Sequence, residues 1–209
     1  MNFLAHAFLS FNHPEILVGN MISDFVKGKK KFDYPHYILA GIHLHRAIDT
    51  YTDIHPATKQ AKTFLAAAAG PYAGAFVDVV YDYFLANDAD QFNIDGLAEK
   101  AQFTYATLQQ HNQILPAIFK QMLPYMINQD WLVNYQTKWG LEKSFNGVVH
   151  RAKYLESSTA IFSLFEQHEA ALQDCYNTFF PDVKLFALQQ FQEIMATPPP
   201  IFVLNNGTL

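Results

Sequence analysis

The chain has 209 residues, of which 50% are hydrophobic and 15% aromatic, and it carries a formal net charge of −5. This length and composition are typical of one globular domain with a sizeable core that needs neither disulfides nor structural zinc. The negative charge argues against wholesale binding of nucleic acid, which requires a basic face.

The sequence predicts a cytoplasmic protein without a membrane span. Cys175 is the single cysteine, which excludes an internal disulfide framework and suits a reducing compartment. The first nine residues lack the basic start of a signal peptide and contain His6. No uncharged apolar run reaches the roughly 18 residues that a membrane helix needs.

Apolar residues follow helical spacing along most of the chain, without sustained alternation of period two. In the first half, prolines and glycines that start or stop helices divide the pattern. It predicts helices over residues 14–26, 37–52, 56–69 and 72–86, with a lysine-rich loop between the first two.

The second half has weaker signals of the same kind. They predict helices over residues 94–110, 114–127, 131–138, 141–154, 157–179 and 181–195, where Pro181 opens the last one. We therefore expect an all-α fold, a compact single domain of many helices over residues 1–196, followed by a C-terminal tail over residues 197–209.

Histidine and aspartate cluster in the first ninety residues. His45 and Asp49 are four apart on a predicted helix and are therefore neighbours on one face, whereas His43 points elsewhere. Asp78 and Asp82 repeat this spacing in an apolar helix. Carboxylates in such surroundings are costly to bury unless they meet a cation, a metal or several hydrogen-bond donors.

A divalent ion would satisfy these groups. Imidazole together with carboxylate suits manganese, iron or zinc, and such an ion activates water and clamps a phosphoryl oxygen. Hydrolysis of a phosphate ester is the reaction that such a metal site favours. The alternatives without a metal are histidines that cap helices or lie in the core, and an ordinary surface ion pair. His6 taken alone is typical of a core histidine.

This acidic chain contains one dense basic segment, which comprises Lys27, Lys29, Lys30 and Lys31. It is either a solvated loop or a docking surface for an acidic partner.

Several segments together resemble the acyl carrier protein phosphodiesterase family. They are NFLAH at residues 2–6, GNMISDFVKG at 19–28, GIHLHRAID at 41–49 and DVVYD at 78–82. The match is strong over roughly the first 88 residues. It is looser beyond them, where DWLVNY at residues 130–135 and the Asn146-Gly147 pair resemble the family's second half.

The resemblance implies a helical relative of the His/Asp metal-dependent phosphohydrolases that removes 4'-phosphopantetheine from holo acyl carrier protein. It also implies a divalent ion, typically Mn²⁺, with Mg²⁺, Fe²⁺ and Zn²⁺ as alternatives. Catalytic roles fall on Asp24, Asp49 and Arg46. The candidate metal ligands are His6, Asp24, His45, Asp49, Asp78 and Asp82.

One position departs from the family, since Tyr83 stands where the family often has histidine. Two other functions stay open at this point. One is the same metal chemistry on a small nucleotide or other phosphodiester, and the other is a non-catalytic helical module that binds an acidic partner.

Overall fold

A computed structural model describes residues 1–197, and every regular element within that range is helical. The all-α prediction is confirmed. The predicted tail lies outside the described residues from position 198 onward. Ten α-helices occur in the described range: α1, Phe3–Phe8; α2, Pro14–Ile22; α3, His36–Ile54; α4, Pro56–Ala69; α5, Ala73–Ala86; α6, Gly96–Gln110; α7, Ala117–Asn128; α8, Trp131–Asn134; α9, Lys138–Arg151; and α10, Thr159–Ala196.

Helices α2 and α3 meet at two glycines, and this contact positions the candidate site. A Cβ on Gly41 would lie 3.0 Å from the Cα of Gly19 and would collide with the carbonyl of Ile16. Because neither glycine carries a side chain, the two backbones approach each other closely. The Nδ1 atom of His45, one turn after Gly41, thereby lies 2.7 Å from the carbonyl oxygen of Asn20.

Helix α1 was not predicted from the sequence. Six residues are too few to give a periodic apolar signal. Its stability comes from tertiary contacts instead, because the carboxylate of Asp82 on α5 accepts hydrogen bonds from the backbone N–H groups of Asn2, Leu4 and Ala5. These donors are left without helical partners at any helix start.

The long helix α10 corrects the prediction that Pro181 opens a separate helix. The helix continues through Pro181, and the kink that divides α10 into two helical parts lies instead at His168, whose φ of −113° and ψ of 15° are not helical. Phe180 and Val183 are buried on the two sides of the proline. Their packing outweighs the loss of one helical hydrogen bond.

Other boundaries also differ from the prediction. The lysine-rich segment is not an irregular loop but the 3₁₀ helix Gly28–Asp33. Helix α9 begins three residues before the predicted start, because the side chain of Thr137 caps it by accepting the Gly140 N–H.

One stretch, Pro56–Ala86, is long and apolar enough to cross a membrane by length and composition, with a mean hydropathy of 1.4 over its best window. In the structure this stretch is not one straight helix, because Gly70, at φ +51°, separates α4 from α5. Both helices contribute to the hydrophobic core, α4 through Leu65 and α5 through Phe76.

Candidate active site

Two buried imidazole rings form the centre of the candidate site. His6 on α1 and His45 on α3 stack with ring centroids 3.9 Å apart and 16° between the planes. The Nε2 atoms of the two rings lie 3.2 Å and 3.1 Å from the Oδ1 and Oδ2 atoms of Asp49, respectively. Ligand atoms of these three residues all lie within 4.8 Å of one another, so they can hold a metal ion.

A backbone carbonyl fixes the orientation of His45. Its Nδ1 lies 2.7 Å from the carbonyl oxygen of Asn20, and because a carbonyl only accepts, Nδ1 is the nitrogen that carries the proton. The Nε2 atom then faces two carboxylates, since it also lies 3.2 Å from Oδ1 of Asp24. Metal-binding histidines are typically oriented in this way.

His6 has the features of a ligand without a partner. Its ring is buried, and neither ring nitrogen makes a hydrogen bond within residues 1–197. The Nε2 atom is close to Asp49, but that contact lacks hydrogen-bond geometry. Burial, followed by the charge on His45, lowers the pKa of His6 to about 4. A neutral buried imidazole with no donor or acceptor partner is rare, and a cation at Nε2 would satisfy it.

The electrostatics of the group favour a positive charge. Burial opposes a charge on His45, but hydrogen bonds to Asp24 and Asp49 outweigh it and raise the pKa of His45 to about 9. The hydrogen bond from His45 lowers the pKa of Asp24. Burial opposes the charge on Asp49, yet the two histidines hold its pKa well below the usual range. The space between Nε2 of His45 and these carboxylates thus suits a cation.

The carboxylates of α5 lie beside this group and face the N-terminal segment. Oδ1 of Asp78 lies 2.9 Å from the amino group of Met1, which is also 3.6 Å from Oδ1 of Asp49. Asp82 is fully buried and accepts its three backbone hydrogen bonds at 3.2, 2.7 and 3.3 Å. Neither carboxylate belongs to the compact group formed by His6, His45 and Asp49.

The remaining predicted site residues lie on the rim. The side chain of Asp24 is 77% exposed, so it contacts both His45 and solvent. Arg46 follows His45 on α3, and its guanidinium donates to the carbonyl of Val26 at 3.0 Å. Lys27 begins an exposed basic segment only three residues after Asp24.

Comparison with known proteins identifies the relatives of this chain. The family model described as acyl carrier protein phosphodiesterase matches residues 1–183. A protein of that name from Yersinia pestis is 33% identical over 182 residues, which cover 87% of this chain and 94% of the relative. Proteins of the same name from Escherichia coli O157:H7 and Photorhabdus laumondii are 30% and 28% identical over 87% of this chain, and over 94% and 92% of their own lengths.

The chain belongs to the acyl carrier protein phosphodiesterase family. The resemblance inferred from its first 88 residues is confirmed, and it extends well into the second half. No solved structure matches the chain significantly. A relation to the His/Asp phosphohydrolase fold therefore stays a prediction.

The structure also places the residue that departs from the family. Tyr83 turns away from the site toward α10, where its hydroxyl donates to Glu169 at 3.2 Å and its ring packs against Phe165. Sequence reasoning did not anticipate the role of the Asn20 carbonyl, although Gly19-Asn20 lies inside one of the quoted segments. No side-chain pattern reveals which backbone carbonyl meets a histidine.

Proposed function

We propose that this protein hydrolyses the phosphodiester that joins 4'-phosphopantetheine to the serine of holo acyl carrier protein. The products are apo carrier protein and 4'-phosphopantetheine. Membership in the family supports the substrate. The observation that carries the chemistry is the compact group of His6, His45 and Asp49, whose buried nitrogens and carboxylate lie within reach of one ion.

The proposed ligands of a divalent ion are His6, His45 and Asp49, with Asp24 completing the set from the rim. The donor set fits, because the unpartnered Nε2 of His6 and the oriented Nε2 of His45 both approach Asp49. Mixed imidazole and carboxylate ligands suit Mn²⁺, with Fe²⁺, Zn²⁺ and Mg²⁺ as alternatives. When bound, the ion would supply Lewis acidity toward water and the phosphoryl oxygens.

Residues of the protein would carry out the remaining parts of the reaction. Water would attack phosphorus, the bond between phosphorus and the serine oxygen would break, and the serine oxygen would leave with the proton that the attacking water gives up. Asp24, which is exposed and in contact with His45, is the candidate to take the proton from the attacking water. Asn20 holds the His45 ring in place throughout, and Arg46 is the candidate to bind the equatorial oxygens.

Asp78 and Asp82 are not part of this proposed ligand set. Asp82 already accepts three backbone hydrogen bonds, and Asp78 already pairs with the amino group of Met1. Their contribution would be indirect. They hold the N-terminal segment so that α1 presents His6 to the site.

The basic segment would dock the carrier protein. Lys27, Lys29 and Lys30 are exposed, and Lys31 is half-buried with its ammonium 5.0 Å from the ring of Phe32. None of these lysines forms an ion pair within the described part of the chain. Acyl carrier proteins are acidic, so opposite charge would steer them to the rim that holds Asp24.

The test is incubation with holo carrier protein and Mn²⁺, followed by mass spectrometry of the carrier. We expect its mass to fall by that of the 4'-phosphopantetheine group. The Asp49→Asn variant should leave the carrier intact. His43→Ala is the matched control, because His43 is exposed on the same helix and should retain activity. An unchanged carrier mass with the wild type would contradict the proposal, and cleavage of only small phosphodiesters would favour the alternative substrate.

A further inference from the structure

A cleft of about 510 Å³ opens between α8, α9 and the start of α1. Trp131, Asn134 and Tyr135, from the segment over residues 130–135 that the sequence singled out, line it, whereas none of the proposed catalytic groups does. Its walls combine three kinds of side chain. The aromatic ones include Trp131 and Trp139, the cationic ones are Lys143 and Arg151, and the neutral amides include Asn2 and Asn134.

The two cations of the cleft have no anionic partner in the described part of the chain. Neither Lys143 nor Arg151 takes part in an ion pair there. The ammonium of Lys143 instead lies 5.6 Å from the ring centroid of Trp139, whose side chain is 58% exposed. An exposed aromatic ring and two unpaired cations around a concave surface fit a ligand that is partly apolar and carries negative charge.

The first turn of α1 connects the cleft to the His/Asp group. The backbone N–H of His6 donates to the carbonyl of Asn2 at 3.2 Å, so the cleft residue Asn2 lies one turn from the proposed ligand. One turn corresponds to about 5 Å along the helix. Phe3 also lines the cleft, and its ring lies 6.4 Å from that of Trp131.

The wall formed by α8 is held in a fixed and unusual backbone conformation. Asp130 precedes Trp131 and has a left-handed backbone, with φ 44° and ψ 56°. The hydroxyl of Tyr105 donates to the carboxylate of Asp130 at 3.1 Å and accepts the N–H of Leu132 at 2.9 Å. Such strain in a residue other than glycine persists only where the surroundings enforce it, often beside a binding site.

We infer that this cleft binds the 4'-phosphopantetheine group itself, independently of the carrier protein. This inference rests on the proposed function and names the part of the substrate that the cleft recognises. The alkyl portion of the group matches the indole faces of Trp131 and Trp139, and its amides match Asn2 and Asn134. Lys143 and Arg151 contribute positive potential for the phosphate, which reaches the His/Asp group past Asn2.

The test is calorimetric binding of 4'-phosphopantetheine, with inorganic phosphate as the second probe, to the full chain in Mn²⁺ buffer. The double variant Trp139→Ala/Lys143→Ala should weaken 4'-phosphopantetheine about tenfold and inorganic phosphate by much less, because phosphate loses the charge of Lys143 but makes no contact with the indole of Trp139. The matched control is Tyr154→Ala/Lys153→Ala. That pair is an equivalent exposed lysine over an aromatic ring, 5.2 Å from its centroid, outside the cleft.

The outcomes separate this inference from the proposed function. If the cleft variant binds 4'-phosphopantetheine as tightly as the wild type, or loses phosphate equally, the cleft assignment fails even when the wild type still cleaves holo carrier protein. If the wild type binds 4'-phosphopantetheine through the cleft but leaves holo carrier protein intact, the assignment stands and the proposed reaction fails. Matching thermal unfolding of the two double variants excludes loss of folding as the cause.

Discussion

Replacing Gly41 by alanine should both destabilise the fold and loosen the site. The new Cβ would collide with the carbonyl of Ile16 and lie 3.0 Å from the backbone nitrogen of Asn20. Both neighbours are backbone atoms, so relief requires α2 and α3 to separate. Overpacking of this kind costs about 1–3 kcal/mol, and a backbone clash belongs at the upper end, about 3 kcal/mol. In a domain of this size that lowers the midpoint of thermal unfolding by about 6–12 °C.

The effect on the site follows from the same separation. His45 is oriented by the carbonyl of Asn20, so moving α2 away from α3 lengthens that 2.7 Å hydrogen bond. We therefore expect weaker Mn²⁺ binding as well as a lower unfolding temperature, measured by calorimetry on the same preparation.

Gly147→Ala is the matched control for this prediction. Gly147 lies within α9, and a Cβ there would have its nearest contact at an ordinary 3.7 Å, with the side chain of Arg151. Alanine should stabilise that helix by up to about 1 kcal/mol. If Gly41→Ala is as stable as the wild type, or binds Mn²⁺ equally well, the reasoning about the helix contact is wrong.

Three further predictions concern other residues. Asp82→Ala should lower the free energy of unfolding by about 3 kcal/mol in urea titration, because the buried N–H groups of Leu4 and Ala5 lose their acceptor; an unaffected variant would contradict the structural role. Burial raises the pKa of Asp82 to about 7, so the folded chain retains a proton that the unfolded chain releases above about pH 4. The free energy of unfolding of the wild type, relative to that of Asp82→Asn, should therefore decrease as the pH rises from about 4 to about 7. A difference that stays constant with pH would refute this. Replacing Lys29, Lys30 and Lys31 by Ser should lower kcat/KM for carrier protein about tenfold at low salt and leave a small phosphodiester unaffected, whereas equal loss on both substrates would rule out docking.

The periodicity of the α-helix made part of the site predictable from the sequence. His45 and Asp49 are four residues apart, and the structure places their side chains 3.1 Å from each other. The same spacing grouped Asp78 with Asp82, which do share a face of α5. The spacing does not reveal which part of the protein packs against that face, and in the structure it is the N-terminal segment.

Tertiary contacts decide the features that the sequence did not predict. Helix α1 is too short to show a period, yet it carries His6 into the site because Asp82 binds its first N–H groups. The continuation of α10 through Pro181 likewise depends on core packing that local helix-breaking rules omit. Helix content was therefore easier to predict than helix ends or the partners of single side chains.

Binding of Mn²⁺ by the group of His6, His45 and Asp49 tests the central claim most directly. The measurement is the unfolding temperature of metal-free protein with and without Mn²⁺. At a hundredfold excess over its dissociation constant, an ion bound by the folded chain adds about 2.7 kcal/mol, which raises the midpoint by about 5–10 °C. We predict this rise in the wild type and in His43→Ala, and its loss in His6→Ala and Asp49→Asn. An equal rise in all four proteins, or none in the wild type, would contradict the account.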